Sequence, residues 1–342
     1  MILLDGIGDR CYPELDHQTP LQAARTPVLD QLARDGGNGL FHAARLGQAL
    51  PSENAHFAMF GYDMKGFPGR GALEALGAGI ALSAEEVAIL THFVSVSASP
   101  DGRLILKEGK PQASDAEIRA LIQSVGKYSL NGTHFTFHHT HGFRGILTLE
   151  GGVAPYITDS DPMQNGQPLV AVNPWHLYAD DSSALHTARV LTAYLQWAFH
   201  VLQQHPVNTV RRQEGRPPLN GLVTQRAGRL KRVPSFAESF GLQGLSIASG
   251  IVYHGLARYL GMECLKVGDS SHADQDLAQR LQLAANCLGD HDFIHVHTKR
   301  PDEAAHTKDL FNKTQVIEVL DRGLGMVIET LRSTPELLLV IA

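Results

Sequence analysis

The sequence predicts an α/β protein with a mainly parallel sheet flanked by helices and an α+β domain inserted into it. Three observations predict this. Short apolar runs recur near both ends of the chain, at Met1–Leu4, Leu245–Ile251, Cys264–Val267, Asp292–His297 and Leu337–Ile341. Helical patterns separate the late runs, at Asp274–Leu288 and Leu310–Leu331, and strand alternating with helix is the signature of a parallel sheet. The middle of the chain breaks that rhythm with β-like runs at Phe93–Val96, Phe135–His138 and Gly145–Leu149, followed by one long helix, Ser183–Gln204.

The elements follow in order. Met1-Ile2-Leu3-Leu4-Asp5-Gly6 reads as a buried strand that delivers a carboxylate at its C-terminal tip. Thr26 suits an N-cap, Pro27 the first helical position and Gly36 the stop of a short helix. A strand near Gly39–Arg45 and a helix from about Ser52 are expected next. The domain limits expected are 1–93 for the first part of the core, 94–216 for the insert, and 217–342 for the second part of the core. Both ends cut through core strands, so the chain reads as a fragment, incomplete at its C-terminus.

Composition narrows the function. The 342 residues are 43% apolar and 19% charged, with a net charge of −6 and no basic stripe, which argues against nucleic acid as the main partner. No apolar run approaches the roughly 18 residues of a membrane span, and the N-terminus lacks the pattern of a signal peptide. Cys11, Cys264 and Cys287 are odd in number and far apart, which fits a reducing cytoplasm.

Four residues stand where chemistry is expected. Asp5, at a strand tip, is placed to hold a metal, although an Asp-Gly turn explains it equally well. Ser52, at a helix start, is either an N-cap or a nucleophile, because free N–H groups there favour an alkoxide and an incoming phosphate. Taken alone, the cap is the commoner case. Asp302 and His306 share one helix face at i, i+4 spacing and can grip one divalent ion. His295 and His297 alternate along the strand before them and read as packing residues, or as supports behind the ligands, rather than as ligands. Together the four supply half of a two-metal phosphoryl-transfer site.

Ordered motifs then carry a resemblance. Leu4 to Arg10, Thr19 to Ala24, Thr26 to Asp30, Ser52 to Tyr62, Gly69 to Ile80, Thr158 to Pro162, His205 to Asn208, Pro217 to Asn220, Pro234 to Phe236, Gly255 to Glu263 and Asp302 to His306 run through nearly the whole chain. In these stretches the sequence resembles the archaeal-type, cofactor-independent phosphoglycerate mutases of the alkaline phosphatase superfamily. The resemblance implies an alkaline-phosphatase-like core with a substrate-binding lid domain. It also implies interconversion of 2- and 3-phosphoglycerate through a phosphoserine at Ser52, without 2,3-bisphosphoglycerate. Two divalent ions are implied, manganese first among them, with magnesium, cobalt or zinc as alternatives. Asp5 and Ser52 would serve one, Asp302 and His306 the other. In the family the remaining ligands come from a Gly-Asp-His motif just after the last apolar strand and from a later His; this sequence stops at that strand. The expected partner is a small phosphorylated acid. Arg144, Arg258 and His254 are expected to bind its anionic groups, with Asp161 beside them.

The sequence also departs from the family. Ser52-Glu53-Asn54-Ala55-His56 stands for Ser-Asp-Thr-Ala-His, and Leu106-Lys107-Glu108-Gly109-Lys110 replaces an Asp-Arg-Arg run. Gln225-Arg226-Ala227-Gly228 stands for Arg-Gly-Ala-Gly, and His254-Gly255 for Lys-Gly. These changes fall where substrate would be read and leave room for a sister phosphatase or phosphotransferase acting on another small phosphomonoester; the missing metal ligands leave room for an inactive homologue.

Overall fold

The computed structural model describes residues 1–342. In chain order the elements begin β1 (Ile2–Leu4), α1 (Pro20–Ala23), α2 (Pro27–Asp35), α3 (Ser52–Met59) and α4 (Arg70–Ala78). There follow β2 (Val87–Ala98), β3 (Leu104–Glu108), α5 (Asp115–Val125), β4 (Lys127–Leu130), β5 (Thr133–His141), β6 (Arg144–Glu150), α6 (Ser182–Gln203), α7 (Pro206–Gln213) and β7 (Gly221–Gly228). The last stretch holds α8 (Phe236–Phe240), β8 (Gly244–Ala248), α9 (Ile251–Tyr259), β9 (Glu263–Lys266), α10 (Ala273–Asn286), β10 (Phe293–Thr298), α11 (Arg300–His306), α12 (Leu310–Gly325) and α13 (Ile328–Arg332). No helix is long and apolar enough to cross a membrane.

The chain divides into two compact units, Met1–Met64 with Val233–Ala342, and Lys65–Arg232. The expected limits of 93/94 and 216/217 are therefore displaced. The insert takes in α4, the whole of β2 and β7, because β7 pairs with β2 over Ala88–Val94 and cannot be divided from it.

The first unit is built on a four-stranded, all-parallel sheet of order β1-β10-β8-β9. Side chains alternate across a strand, so each strand serves two faces. Ile2, Leu4, Leu245, Ile247, Ile294 and Val296 point into one core with Leu277, Leu281, Leu320 and Leu324 from α10 and α12. Leu3, Ser246, His295 and His297 fall on the opposite face. Rings from α3 and α9 cover it: Phe60 meets His295 and Tyr253 meets His297, with centroids 5.0 and 4.1 Å apart.

Some local expectations shift. Residues 39–45 form no strand, and Leu40 and Phe41 are exposed, so a short apolar run without a partner strand stays irregular. Thr26 does not cap α2 with its hydroxyl, which donates to Asp30. Buried Asp321 caps that helix instead, accepting from the amides of Val28 and Leu29 at 3.2 and 2.8 Å. The helix expected over Leu310–Leu331 breaks after Gly325 into α12 and α13. The apolar C-terminal run lies alongside β1, where the Ile2 and Leu4 amides donate to the Val340 and Ala342 carbonyls, both at 2.7 Å.

The second unit is an antiparallel sheet of order β3-β2-β6-β5-β4, with β7 also paired to β2. Helices α5 and α6 bury Ile118, Leu121, Val190, Leu191 and Tyr194 against Val87, Phe93, Phe135 and Leu147.

Candidate functional site

In the first unit, strand register brings the chemistry together. Leu3 of β1 pairs with His297 of β10 on the face that α3 and α9 cover. Asp5 lies two residues beyond Leu3 and so projects on the same side. Its Oδ2 stands 3.6 Å from His297 Nε2 and accepts from the Tyr253 hydroxyl at 3.3 Å. His56, one turn into α3, completes the group: the ligand-capable atoms of Asp5, His56 and His297 all lie within 4.8 Å of one another. Both imidazoles are buried, at 2% and 0% exposure.

The hydrogen bonds fix what these groups can do. His56 Nδ1 donates to the Ser52 carbonyl at 2.7 Å, which leaves Nε2 as the lone-pair nitrogen, and that atom has no hydrogen-bond partner. Neither ring nitrogen of His297 has one. Burial, reinforced by the neighbouring His297, lowers the His56 pKa to about 4, so the ring is neutral. His297 is also held below the ordinary value by burial, against the pull of Asp5. For Asp5, burial pushes the carboxyl up, but His297, His56 and Tyr253 together hold it below the ordinary value. A carboxylate facing two neutral imidazoles is a donor set that suits a divalent ion.

Ser52 is the first residue of α3, and Pro51 occupies the N-cap position. Its hydroxyl caps nothing, so the cap reading fails on geometry. The side chain is half-buried at the start of the helix, one turn before His56.

Asp302 and His306 lie on α11, with Asp302 Oδ1 3.6 Å from His306 Nε2. The helix is tied to the Asp5 turn, because the Asp302 amide donates to the Asp5 carbonyl at 3.0 Å. Gly6, at φ +83°, makes this approach possible: a Cβ there would lie 2.6 Å from the Asp302 backbone. Burial, with Asp5 nearby, raises the Asp302 pKa. The His306 side chain is exposed.

The second unit holds a cavity of about 830 Å³ against the face of β2, β6 and β7. His92 of β2 pairs with Arg144 of β6, and Leu90 with Gln225 of β7, which sets these side chains on one face. Asp161 is fixed there: its Oδ2 accepts from Gln225 Nε2 at 2.5 Å and lies 3.6 Å from His92 Nε2. Ser160 locks the same segment to Thr224 through two backbone–hydroxyl and hydroxyl–hydroxyl contacts at 2.8 and 3.0 Å. Lys110, Arg144 and Arg226 bring positive charge to the lining. Arg226 takes φ +55°, with its amide donating to Asp159 at 2.7 Å.

Comparison with known proteins agrees with this architecture. The family model for 2,3-bisphosphoglycerate-independent phosphoglycerate mutase matches residues 33–208. An enzyme of that name from Methanopyrus kandleri is 36% identical over 329 residues, covering 95% of this chain and 77% of the relative. The second such enzyme of Methanocaldococcus jannaschii is 36% identical over 332 residues, covering 95% and 75%. The chain belongs to the 2,3-bisphosphoglycerate-independent phosphoglycerate mutase family. Among solved structures, the cofactor-independent phosphoglycerate mutase of Thermoplasma acidophilum matches with a TM-score of 0.62 and 30% identity over 97% of this chain and 82% of its own. A Pyrococcus horikoshii protein matches with a TM-score of 0.74 and 25% identity over 96% and 77%.

Against the family pattern, the structure sorts the sequence-predicted residues. Asp5 and Asp302 are neighbours through the Asp302–Asp5 backbone bond, and Ser52 shares a helix turn with His56. Arg144 and Asp161 line the cavity of the second unit, as do Glu108, Gly109 and Lys110 from the segment that replaces Asp-Arg-Arg. His254 and Arg258 are on α9 in the other unit. His254 is buried and donates Nε2–H to the Ala248 carbonyl at 2.8 Å, which is a structural use of the ring. Arg258 is exposed. The structure sets two further residues beside Asp5, His56 and His297. The signal for His297 was its alternation with Ile294 and Val296, which put it on the face of Asp5; for His56 it was the spacing of one turn from Ser52.

Proposed function

We propose that this chain is a metal-dependent phosphoglycerate mutase that interconverts 2- and 3-phosphoglycerate through a phosphoserine at Ser52. Membership of the mutase family carries the reading, and the buried Asp5–His56–His297 cluster supports its metal dependence. In this reading the Ser52 oxygen attacks phosphorus, forming the Ser–O–P bond as the substrate's ester P–O bond breaks. The serine proton leaves and the departing glycerate oxygen takes one up. The step runs in reverse onto the other hydroxyl. Asp5, with Ser52, and Asp302, with His306, would hold two divalent ions, manganese being the first candidate; bound metal supplies charge neutralisation at the phosphoryl group. Arg144 and Lys110 line the second unit's own cavity and suit it to anionic groups. Reducing intracellular conditions fit the free cysteines.

The test is interconversion of the two phosphoglycerates by the metal-loaded chain with no 2,3-bisphosphoglycerate added. Absence of turnover in folded, metal-bound protein overturns the proposal. One observation favours a second reading. Glu108 and Lys110 in the cavity, where the family carries Asp-Arg-Arg, fit a different phosphomonoester. Release of inorganic phosphate from other monoesters, faster than any isomerisation, would select that reading.

A further inference from the structure

We propose that the cavity of the second unit binds a phosphorylated acid that also carries an ammonium group, with Asp161 holding the ammonium and Arg144 the carboxylate. The proposal rests on the second reading above, that of a different phosphomonoester, and names its class.

Asp161 carries the argument. Its side chain is only 6% exposed, yet it lines the cavity. An ionised carboxylate has about four lone-pair sites. Two are occupied: Oδ1 accepts from the Met163 amide at 2.8 Å, and Oδ2 from Gln225 Nε2 at 2.5 Å. Both donors are neutral. The next neighbour, His92 Nε2, stands 3.6 Å away, too far for a good hydrogen bond. Burial holds the His92 pKa below the ordinary value against the pull of Asp161, and Arg144 and Lys110 lower it further, so the ring is neutral near pH 7. A buried carboxylate is ordinarily matched by a cation or a metal, and none of these three partners is a cation.

The sequence shows where the charge went. Gln225 stands where the family carries the first arginine of Arg-Gly-Ala-Gly. A guanidinium there would neutralise Asp161 from within the protein; the amide of Gln225 keeps the hydrogen bond and gives up the charge. The opposite wall changes in the same sense. In the segment that stands for Asp-Arg-Arg, Glu108 adds a carboxylate to the lining.

The anionic end of the ligand has its own partner. Arg144 lies opposite His92 in the β2–β6 register, so Arg144 and Asp161 flank the same imidazole. Directly opposed side chains of an antiparallel pair begin about 4.5–5.5 Å apart. A guanidinium grips a carboxylate through two parallel N–H···O bonds. An amine and a carboxylate on neighbouring carbons of one small molecule can therefore address both residues.

Charge then selects the ligand. 3-Phosphoglycerate and O-phosphoserine differ at one position, a hydroxyl in the first and an ammonium in the second. Either group donates a hydrogen bond to Asp161, but only the ammonium also neutralises it.

The experiment is isothermal titration calorimetry of the Mn²⁺-loaded full chain with O-phosphoserine, 3-phosphoglycerate and phosphoethanolamine, in a Ser52→Ala background that blocks turnover. O-Phosphoserine is expected to bind about 10-fold or more tighter than 3-phosphoglycerate. Phosphoethanolamine, which lacks the carboxylate, should bind more weakly than O-phosphoserine by a similar factor. Asp161→Asn keeps an acceptor for the Met163 amide and removes the charge; it should abolish the preference by weakening O-phosphoserine alone. Gln225→Arg should reverse the preference, and it decides the matter if Asp161→Asn fails to fold. Equal or tighter binding of 3-phosphoglycerate by the unaltered cavity overturns the proposal, as does a preference that the variants leave intact. The two readings fail separately. Interconversion of the phosphoglycerates with Ser52 in place, without the preference for O-phosphoserine, keeps the mutase and removes this site; the preference without interconversion does the opposite.

Discussion

Single residues in the first unit separate chemical from structural roles. Ser52 makes no capping bond, so Ser52→Ala removes no helix stabilisation of the kind a cap provides, which is about 1 kcal/mol. The variant should melt at the wild-type temperature and lose roughly four orders of magnitude or more in turnover. Residual activity near a tenth of wild type would place the nucleophile elsewhere. Lys313 behaves in the opposite way. Its side chain is 2% exposed, and Nζ donates to Asp9 Oδ2 at 2.7 Å and to the Gly8 carbonyl at 3.1 Å. Asp9 also accepts from the Arg10 amide and the Tyr12 hydroxyl, so one carboxylate organises the loop that follows Asp5. Lys313→Met leaves Asp9 without its buried cation. Asp9 itself is open to water, so the loss is that of two charge-assisted hydrogen bonds, about 1–3 kcal/mol by denaturant unfolding, and Lys313→Met combined with Asp9→Leu should recover part of it. A single variant as stable as wild type would show that the pair is solvated in solution.

At the scale of elements, how much could be read from the sequence depended on whether local pattern or distant pairing sets the structure. Strands β8, β9 and β10 and helices α6 and α10 fall within a few residues of expectation, because apolar runs and helical periodicity are local signals. The unit boundaries did not, because β7 belongs with β2 through a pairing more than a hundred residues apart that no local pattern records. The same holds for the site. Asp5, Ser52, Asp302 and His306 are candidates that strand tips, a helix start and i, i+4 spacing single out in the sequence. Alternation along β10 and the one-turn spacing from Ser52 mark His297 and His56 in the sequence, but only the β1–β10 register sets both beside Asp5. Thr26 does hold the N-cap position of α2, but the capping carboxylate is that of Asp321, which reaches it from α12. Helix α5 shows an element stabilised by both kinds of contact. Glu117 closes a capping box with Ser114 and also accepts from Arg211, which is buried, and from Arg216. Burial works against its charge, but the Ser114 amide and the two guanidinium groups lower its pKa from 4.5 to about 2. A depressed folded-state pKa gives stability that is present above pH 4.5 and is lost as the pH falls toward 2. Glu117→Gln should therefore lower stability by about 1–2 kcal/mol near neutral pH after solvent screening. It should also flatten the melting temperature against pH between those values; an unchanged slope would assign the acid lability to other carboxylates.

For the molecule as a whole, the consequence follows from the division into two units with separate cores. Asp5, His56, His297, Asp302 and His306 all belong to the unit formed by Met1–Met64 and Val233–Ala342. An ion that binds the folded state alone stabilises what it binds, by an amount that grows with the logarithm of ion concentration over Kd. Its removal should therefore loosen that unit first. The Asp5 turn and α3 meet β10 through groups that would then face one another without the ion, whereas β5, β6 and α6 rest on an apolar core that contains none of these ligands. Hydrogen exchange followed by mass spectrometry, with and without a chelator, reads the difference directly. Peptides spanning Ile2–Asp5, Ser52–Met59 and Phe293–His306 should exchange faster in the chelated protein, and peptides spanning Thr133–Glu150 and Ser182–Gln203 should not change. Equal loss of protection in both sets would mean that the two units unfold as one cooperative system. No change in either would mean that the Asp5 cluster holds its geometry without metal and that its buried nitrogens are satisfied in some other way.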